Sequence, residues 1–161
     1  MIRLSKFTDY GLLVMACIAE DRAHRPLRAA RDVAAKSKLP LPTVSRLLKL
    51  LQQGGLLRSH RGIRGGYTLA REPRQISLLE IIAALEGPVA LTECSTEIPG
   101  LCSLEKCCSI KANQQLISMA VRGALANITL LDLAQPLQLT SIKDGRGKSI
   151  PTIQVAPGGV S

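Results

Sequence analysis

Only three aromatic side chains, Phe7, Tyr10 and Tyr67, occur in 161 residues, and this shortage restricts what the chain can build. A core without rings must be filled by Leu, Ile, Val and Ala, which suits closely packed helices, so a mainly α fold is expected. The 46% of hydrophobic residues suffices for one compact domain with extensions. No apolar run approaches the roughly 20 residues that span a bilayer, and Lys6 and Asp9 interrupt any signal-peptide pattern. The expected compartment is the cytoplasm, where thiols stay reduced.

Helical spacing organises the first half of the chain. Phe7, Gly11, Val14 and Ile18 share one stripe of a first helix over residues 4–20, with Leu4, Leu13 and Cys17 beside it. Cys17 falls inside that apolar pattern and is expected in the core. Ala30, Val33 and Ala34 mark a short second helix ending near Leu39–Pro40. A third runs from about Leu41 to Gln53, with Pro42 near its start and Gly54–Gly55 stopping it. Val44, Leu47, Leu48 and Leu51 form its inner face, and Thr43, Ser45, Arg46 and Lys49 its outer one. Short hydroxyls near the start can approach base edges while longer cations reach phosphates, which is what a recognition helix in a major groove requires.

Two strands, 56–60 and 66–70, flank a turn built from Arg61-Gly62-Ile63-Arg64-Gly65-Gly66. Arg58, Arg61 and Arg64 surround that turn, and an arginine on a narrow hairpin suits the negative potential of a minor groove. His60 is read as a phosphate or solvent contact, and His24, in an arginine-rich loop, likewise. The charge distribution agrees: residues 1–75 carry fifteen Lys/Arg against five Asp/Glu, whereas residues 76–135 carry three against six. A positive field confined to the reader segment fits double-stranded DNA as partner.

The second half holds the chemistry. Ser77 as N-cap with Glu80 three residues later predicts a helix to Glu86, which Gly87–Pro88 ends. Cys94, Cys102, Cys107 and Cys108 then crowd a loop with Pro99 and Gly100, a pattern that points to a metal or redox centre rather than a disulfide scaffold. Structural zinc sites commonly show two close Cys pairs, and the seven-residue gap after Cys94 departs from that. A thiol switch in which Cys107 and Cys108 pair with Cys94 or Cys102 is the other alternative. Residues 110–128 form the longest helical pattern, with Ile110, Ile117, Val121, Ala124 and Ile128 on one stripe and Leu116, Ala120 and Leu125 on another. One small domain cannot readily bury both, so a homodimer through this helix is expected. The division is thus 1–75 DNA-binding region, 76–135 cysteine loop and dimerisation helix, and 136–161 a disordered tail with three prolines and four glycines. No phosphate-binding glycine motif or Ser/His/Asp nucleophile arrangement occurs, so an enzyme is not expected.

The opening Leu4-Ser-Lys-Phe-Thr-Asp-Tyr10, the wing Arg61-Gly-Ile-Arg-Gly-Gly-Tyr67 and the following cysteine loop together resemble the IscR/NsrR-type winged-helix regulators over roughly residues 1–135. Glu93-Cys94-Ser95 and Cys108-Ser-Ile-Lys111 are similar to the branch that regulates SUF iron–sulfur assembly operons. The resemblance implies a dimeric transcription factor, usually a repressor, whose operator affinity depends on an iron–sulfur cluster. It implies Cys94, Cys102 and Cys108 as thiolate ligands, with Cys107 a substitute, a fourth thiolate or a spare thiol. Some relatives use a histidine three residues after the last cysteine, but Lys111 stands there. Others use an acidic residue of the first helix from the opposite subunit, and Asp9 occupies that position. Both 2Fe–2S and 4Fe–4S clusters accept three cysteines and one other ligand. The base-contact positions of the recognition helix correspond to Pro40, Pro42 and Ser45, so operator sequence does not carry over, whereas Arg61 matches the DNA-contacting wing arginine.

Overall fold

A computed structural model of the chain describes residues 4–20, 27–62, 65–92, 95, 101–103, 107–135, 139–143 and 149–153. Its helices are α1 (Lys6–Glu20), α2 (Ala30–Ser37), α3 (Leu41–Gln53), α4 (Leu78–Glu86), α5 (Lys111–Asn127) and α6 (Leu130–Ala134). Strands β1 (Leu57–His60) and β2 (Gly66–Leu69) follow α3, and β3 (Leu139–Lys143) and β4 (Ser149–Ile153) come last. The chain is mainly α with a two-stranded antiparallel wing, as its composition predicts.

The four inner positions of α3, one valine and three leucines, behave as their spacing requires: Val44, Leu47, Leu48 and Leu51 are fully buried. They meet Val14, Met15 and Ile18 of α1, Val33 of α2 and Ile81 of α4 in one cluster. Each such side chain removed from water contributes about 1.5–3 kcal/mol, so this seam is the main source of stability. Cys17 is buried in α1, as expected of a core thiol. Between α2 and α3 the chain turns through Lys38, whose φ of 56° lies in the left-handed region usually left to glycine.

The α4 N-terminus carries the predicted capping box: the Ser77 hydroxyl accepts from the Glu80 amide at 3.2 Å, and the Glu80 carboxylate accepts from the Ser77 amide at 2.8 Å. Burial works to raise the Glu80 pKa, yet the bonds from Ser77 and from Arg71 together hold it below the ordinary value. A second box, Thr129 with Asp132, starts α6 and lies beside the first through a Ser77–Thr129 bridge. There Leu78 N–H donates to the Ile128 carbonyl and Leu130 N–H to the Ile76 carbonyl, each at 2.8 Å. Fully buried Leu130 places α6 in the same core as α1, so segments on both sides of residue 75 share one core. The end of α5 is thereby joined to the start of α4, and the two helices pack antiparallel with the cysteine loop at their far end.

The tail differs from expectation. In place of disorder throughout residues 136–161, β3 and β4 pair antiparallel, with Leu139 opposite Ile153 and Ile142 opposite Ile150. Two short runs containing β-branched residues stand on either side of a glycine-bearing stretch, a hairpin pattern that the Pro and Gly content of the tail obscures.

Candidate nucleic-acid interface and metal centre

The outer face of α3 presents Ser45, Arg46 and Lys49 to solvent, with Thr43 half-buried near the helix start. Arg46 does not project freely: its guanidinium carbon lies 5.1 Å from the centre of the Phe7 ring on α1. Stacking leaves the guanidinium edge available for phosphate while fixing the long side chain. Sequence patterning does not show this contact, because Phe7 reads equally well as a core residue.

In the wing, Arg58 faces Thr68 across the β1–β2 ladder and is exposed, as is Arg61 at the turn. His60 is exposed and lies 3.1 Å from the Thr68 hydroxyl through Nε2, so it braces the hairpin. Arg64 and His24 lie outside the described residues. A third extended segment docks on β2, where Arg28 and Tyr67 exchange both backbone bonds at 2.9 and 2.8 Å. That docking explains Gly66. An added Cβ there would meet the Arg28 carbonyl oxygen and lie 2.7 Å from its carbonyl carbon, so the backbones could not approach. Gly66→Ala is therefore expected to cost about 1–3 kcal/mol of overpacking and to loosen the wing. Urea unfolding checks this, and unchanged stability would mean that the wing does not depend on the Arg28 segment.

Both ends of the cysteine loop are tied to the opening of α5. The Ser95 hydroxyl, one residue past Cys94, lies 2.7 Å from the Thr92 hydroxyl and donates to the Gln114 carbonyl at 3.3 Å. At the other end the Cys108 carbonyl accepts from the Lys111 amide at 3.3 Å, where α5 begins. Cys102 and Cys108 are half-buried and Cys107 is exposed, and none of the three is in a disulfide. Cys94 lies outside the described residues. Among the described residues no three His, Cys, Asp or Glu side chains gather into a metal cage. The donor chemistry nevertheless fits an iron–sulfur cluster, since thiolates favour soft metals, provided Cys94 and a group from elsewhere complete the set. Asp9 is exposed on the first turn of α1.

That turn is held to the end of α4. The Glu86 carboxylate accepts from the Ser5 amide at 3.1 Å and from the hydroxyl of fully buried Thr8. Bonds from Ser5 and then Thr8 keep the Glu86 carboxyl below its ordinary pKa, against a smaller burial cost. A Ser5-x-x-Thr8 pattern signals a helix start, but nothing local signals Glu86 as its partner.

Helix α5 is sparsely covered. Its one buried side chain is Ser118, while Leu116, Ile117 and Met119 are 68%, 50% and 68% exposed. Among the described residues no helix is long and apolar enough to cross a membrane.

A helix-turn-helix with an arginine-bearing wing defines a winged-helix DNA-binding protein. The chain belongs to the Rrf2 family, described as iron-dependent transcriptional regulators, whose profile matches residues 4–136. It is a DNA-binding transcriptional regulator, and its relatives are regulators rather than enzymes. It is 30% identical over 132 residues to the transcriptional repressor NsrR of Streptomyces coelicolor, covering 82% of this chain and 88% of that one. The structure of CymR, the global cysteine regulator of B. subtilis, superposes with a TM-score of 0.65 at 29% identity, covering 83% of this chain and 97% of that one. T. potens IscR superposes with a TM-score of 0.62 at 29% identity, covering 85% and 93%.

Proposed function

We propose that the chain is a cytoplasmic homodimeric repressor of SUF-type iron–sulfur assembly genes, reporting cluster, iron or redox status to operator DNA. The observation that carries this reading is the anchoring of both ends of the cysteine loop to the opening of α5, the helix whose apolar face is bare. Cys94, Cys102 and Cys108 would hold the cluster, Asp9 of the partner subunit would complete it, and Cys107 stays exposed beside it as an oxidisable thiol. A bound cluster supplies a centre that oxidant or nitric oxide can attack. The family description as iron-dependent supports iron as the signal. The cluster type, 2Fe–2S or 4Fe–4S, follows from the absorption spectrum of anaerobically purified protein. A colourless protein holding zinc would reject the reading.

A thiol switch without a cluster is the second reading, favoured by exposed Cys107 and by the likeness to a cysteine regulator. A colourless, metal-free protein whose operator affinity changes on oxidation would establish it.

The DNA reader separates into parts with different signatures. Arg61→Ala removes a wing contact to the groove and should weaken operator binding by about 1–3 kcal/mol. Arg58 and Arg64 flank that contact on the wing. Lys49→Ala removes a phosphate contact, weakening operator and random duplex alike and flattening the salt dependence by roughly one unit of slope. Substitutions at Thr43 and Ser45 should change sequence preference without changing that slope. Titrations on both duplexes at several salt concentrations decide, and equal losses on both for the Thr43, Ser45 and Arg61 variants would show that this surface does not read sequence.

A further inference from the structure

The first turn of α1 touches two functional regions at once. On one side Ser5 and Thr8 are bonded to Glu86, the last residue of α4. The chain leaves Glu86 through Gly87, at a φ of 90°, and runs through Pro88 toward the cysteine loop. On the other side Phe7 carries the Arg46 guanidinium of α3. Ser5, Phe7 and Thr8 fall within one turn, closed by Asp9 N–H donating to the Ser5 carbonyl at 3.1 Å, so none of them moves without the others.

The geometry points to Glu86 as a positioning residue for DNA binding: it holds the α1 turn so that Phe7 presents Arg46 to the phosphate backbone, linking the lead-in of the cysteine loop to the recognition helix. The carboxylate suits this task because it satisfies an unpaired amide at a helix N-terminus and meets the positive end of the helix dipole. The Thr8 side of the contact is fully buried while Glu86 itself is exposed, so the carboxylate grips the α1 turn from the rim of the core. Arginine fits the other end, since a guanidinium stacks on a ring through its face and binds phosphate through its edge. A shift of the Gly87–Pro88 segment would then reach α3 through two side-chain contacts, without any change in the α1–α3 core.

The inference rests on α3 being the DNA-reading helix, and the test keeps the two apart. The whole 161-residue chain is titrated with a duplex that it selects from a random-sequence pool, well below the unfolding temperature of every variant. Arg46→Ala should weaken binding and lower the salt slope by about one unit; if it does neither, the reading of α3 fails and the inference with it. Glu86→Ala, which removes no atom near DNA, should weaken binding about tenfold with the same fall in slope. Glu86→Gln retains an acceptor for Ser5 and Thr8 and should stay within about threefold of wild type. Thr8→Val, nearly isosteric, should act in the direction of Glu86→Ala and serves if that variant does not fold. A merely structural role for Glu86 would lower the unfolding temperature and leave the slope untouched. The decisive comparison is made in a Phe7→Leu background, where the link is already cut and Glu86→Ala or Thr8→Val should have little further effect. Losses that multiply in the double variants, or wild-type affinity and slope for both Glu86→Ala and Thr8→Val, overturn the proposal.

Discussion

Replacing Cys94, Cys102 or Cys108 by serine should abolish the visible absorption of the anaerobically purified protein, whereas Cys17→Ser should leave it unchanged. A serine oxygen is a hard, protonated donor at neutral pH and does not replace a thiolate on iron. Cys17 is buried in α1 among apolar neighbours, so its loss is a packing event, not a change of ligand. Cys107→Ser discriminates between assignments, because Cys107 adjoins Cys108 and is the more exposed of the two. Loss of the chromophore in Cys107→Ser but not in Cys108→Ser would move the third ligand by one residue. Full iron and sulfide content in the triple Cys94/Cys102/Cys108 variant would end the cluster reading. Asp9→Ala tests the fourth ligand in the same spectra.

Aspartate at Ile117 or Val121 should convert the proposed dimer to monomers. Half of Ile117 is exposed, and its neighbours Leu116 and Met119 are exposed further, an apolar surface that a second α5 would cover. An unpaired charge brought into such an interface costs several kcal/mol, enough to dissociate a dimer at micromolar concentration. Sedimentation velocity on wild type and variants checks this. If Asp9 of the partner subunit completes the cluster, the monomers also lose their chromophore with all four loop cysteines intact. A wild-type protein that sediments as a monomer would defeat the interface and the shared ligand together. The proposed dimer would bear on operator recognition too, since two recognition helices would then meet half-sites about 34 Å apart.

Much of the scaffold was legible because its signals are local. The α3 boundaries follow from Pro42 and from Gly54–Gly55, and its buried face from the spacing of Val44, Leu47, Leu48 and Leu51. The Ser77–Glu80 box needs only residues three apart, and the wing turn announces itself through its glycines. Helix α6 and the β3–β4 hairpin escaped for opposite reasons. Five residues, Leu130–Ala134, are too short to show periodicity, and the hairpin was hidden behind a proline- and glycine-rich composition.

The class of protein is legible from local signals: the helical periods, the arginine-bearing wing and the cysteine spacing are properties of neighbours along the chain. How these parts are joined follows from packing. The Thr8–Glu86 bond links residues 78 apart, Phe7 meets Arg46 across two helices, and Leu130 returns to the core beside Ile76. No local pattern encodes such contacts, because they arise from packing helices against one another and not from the preferences of any one segment. The bare face of α5 belongs to the same category. Its two apolar stripes are written in the residues, but α5 packs against α4 with Leu116 and Ile117, one from each stripe, left exposed, and which side remains open depends on where the zipped starts of α4 and α6 hold the helix.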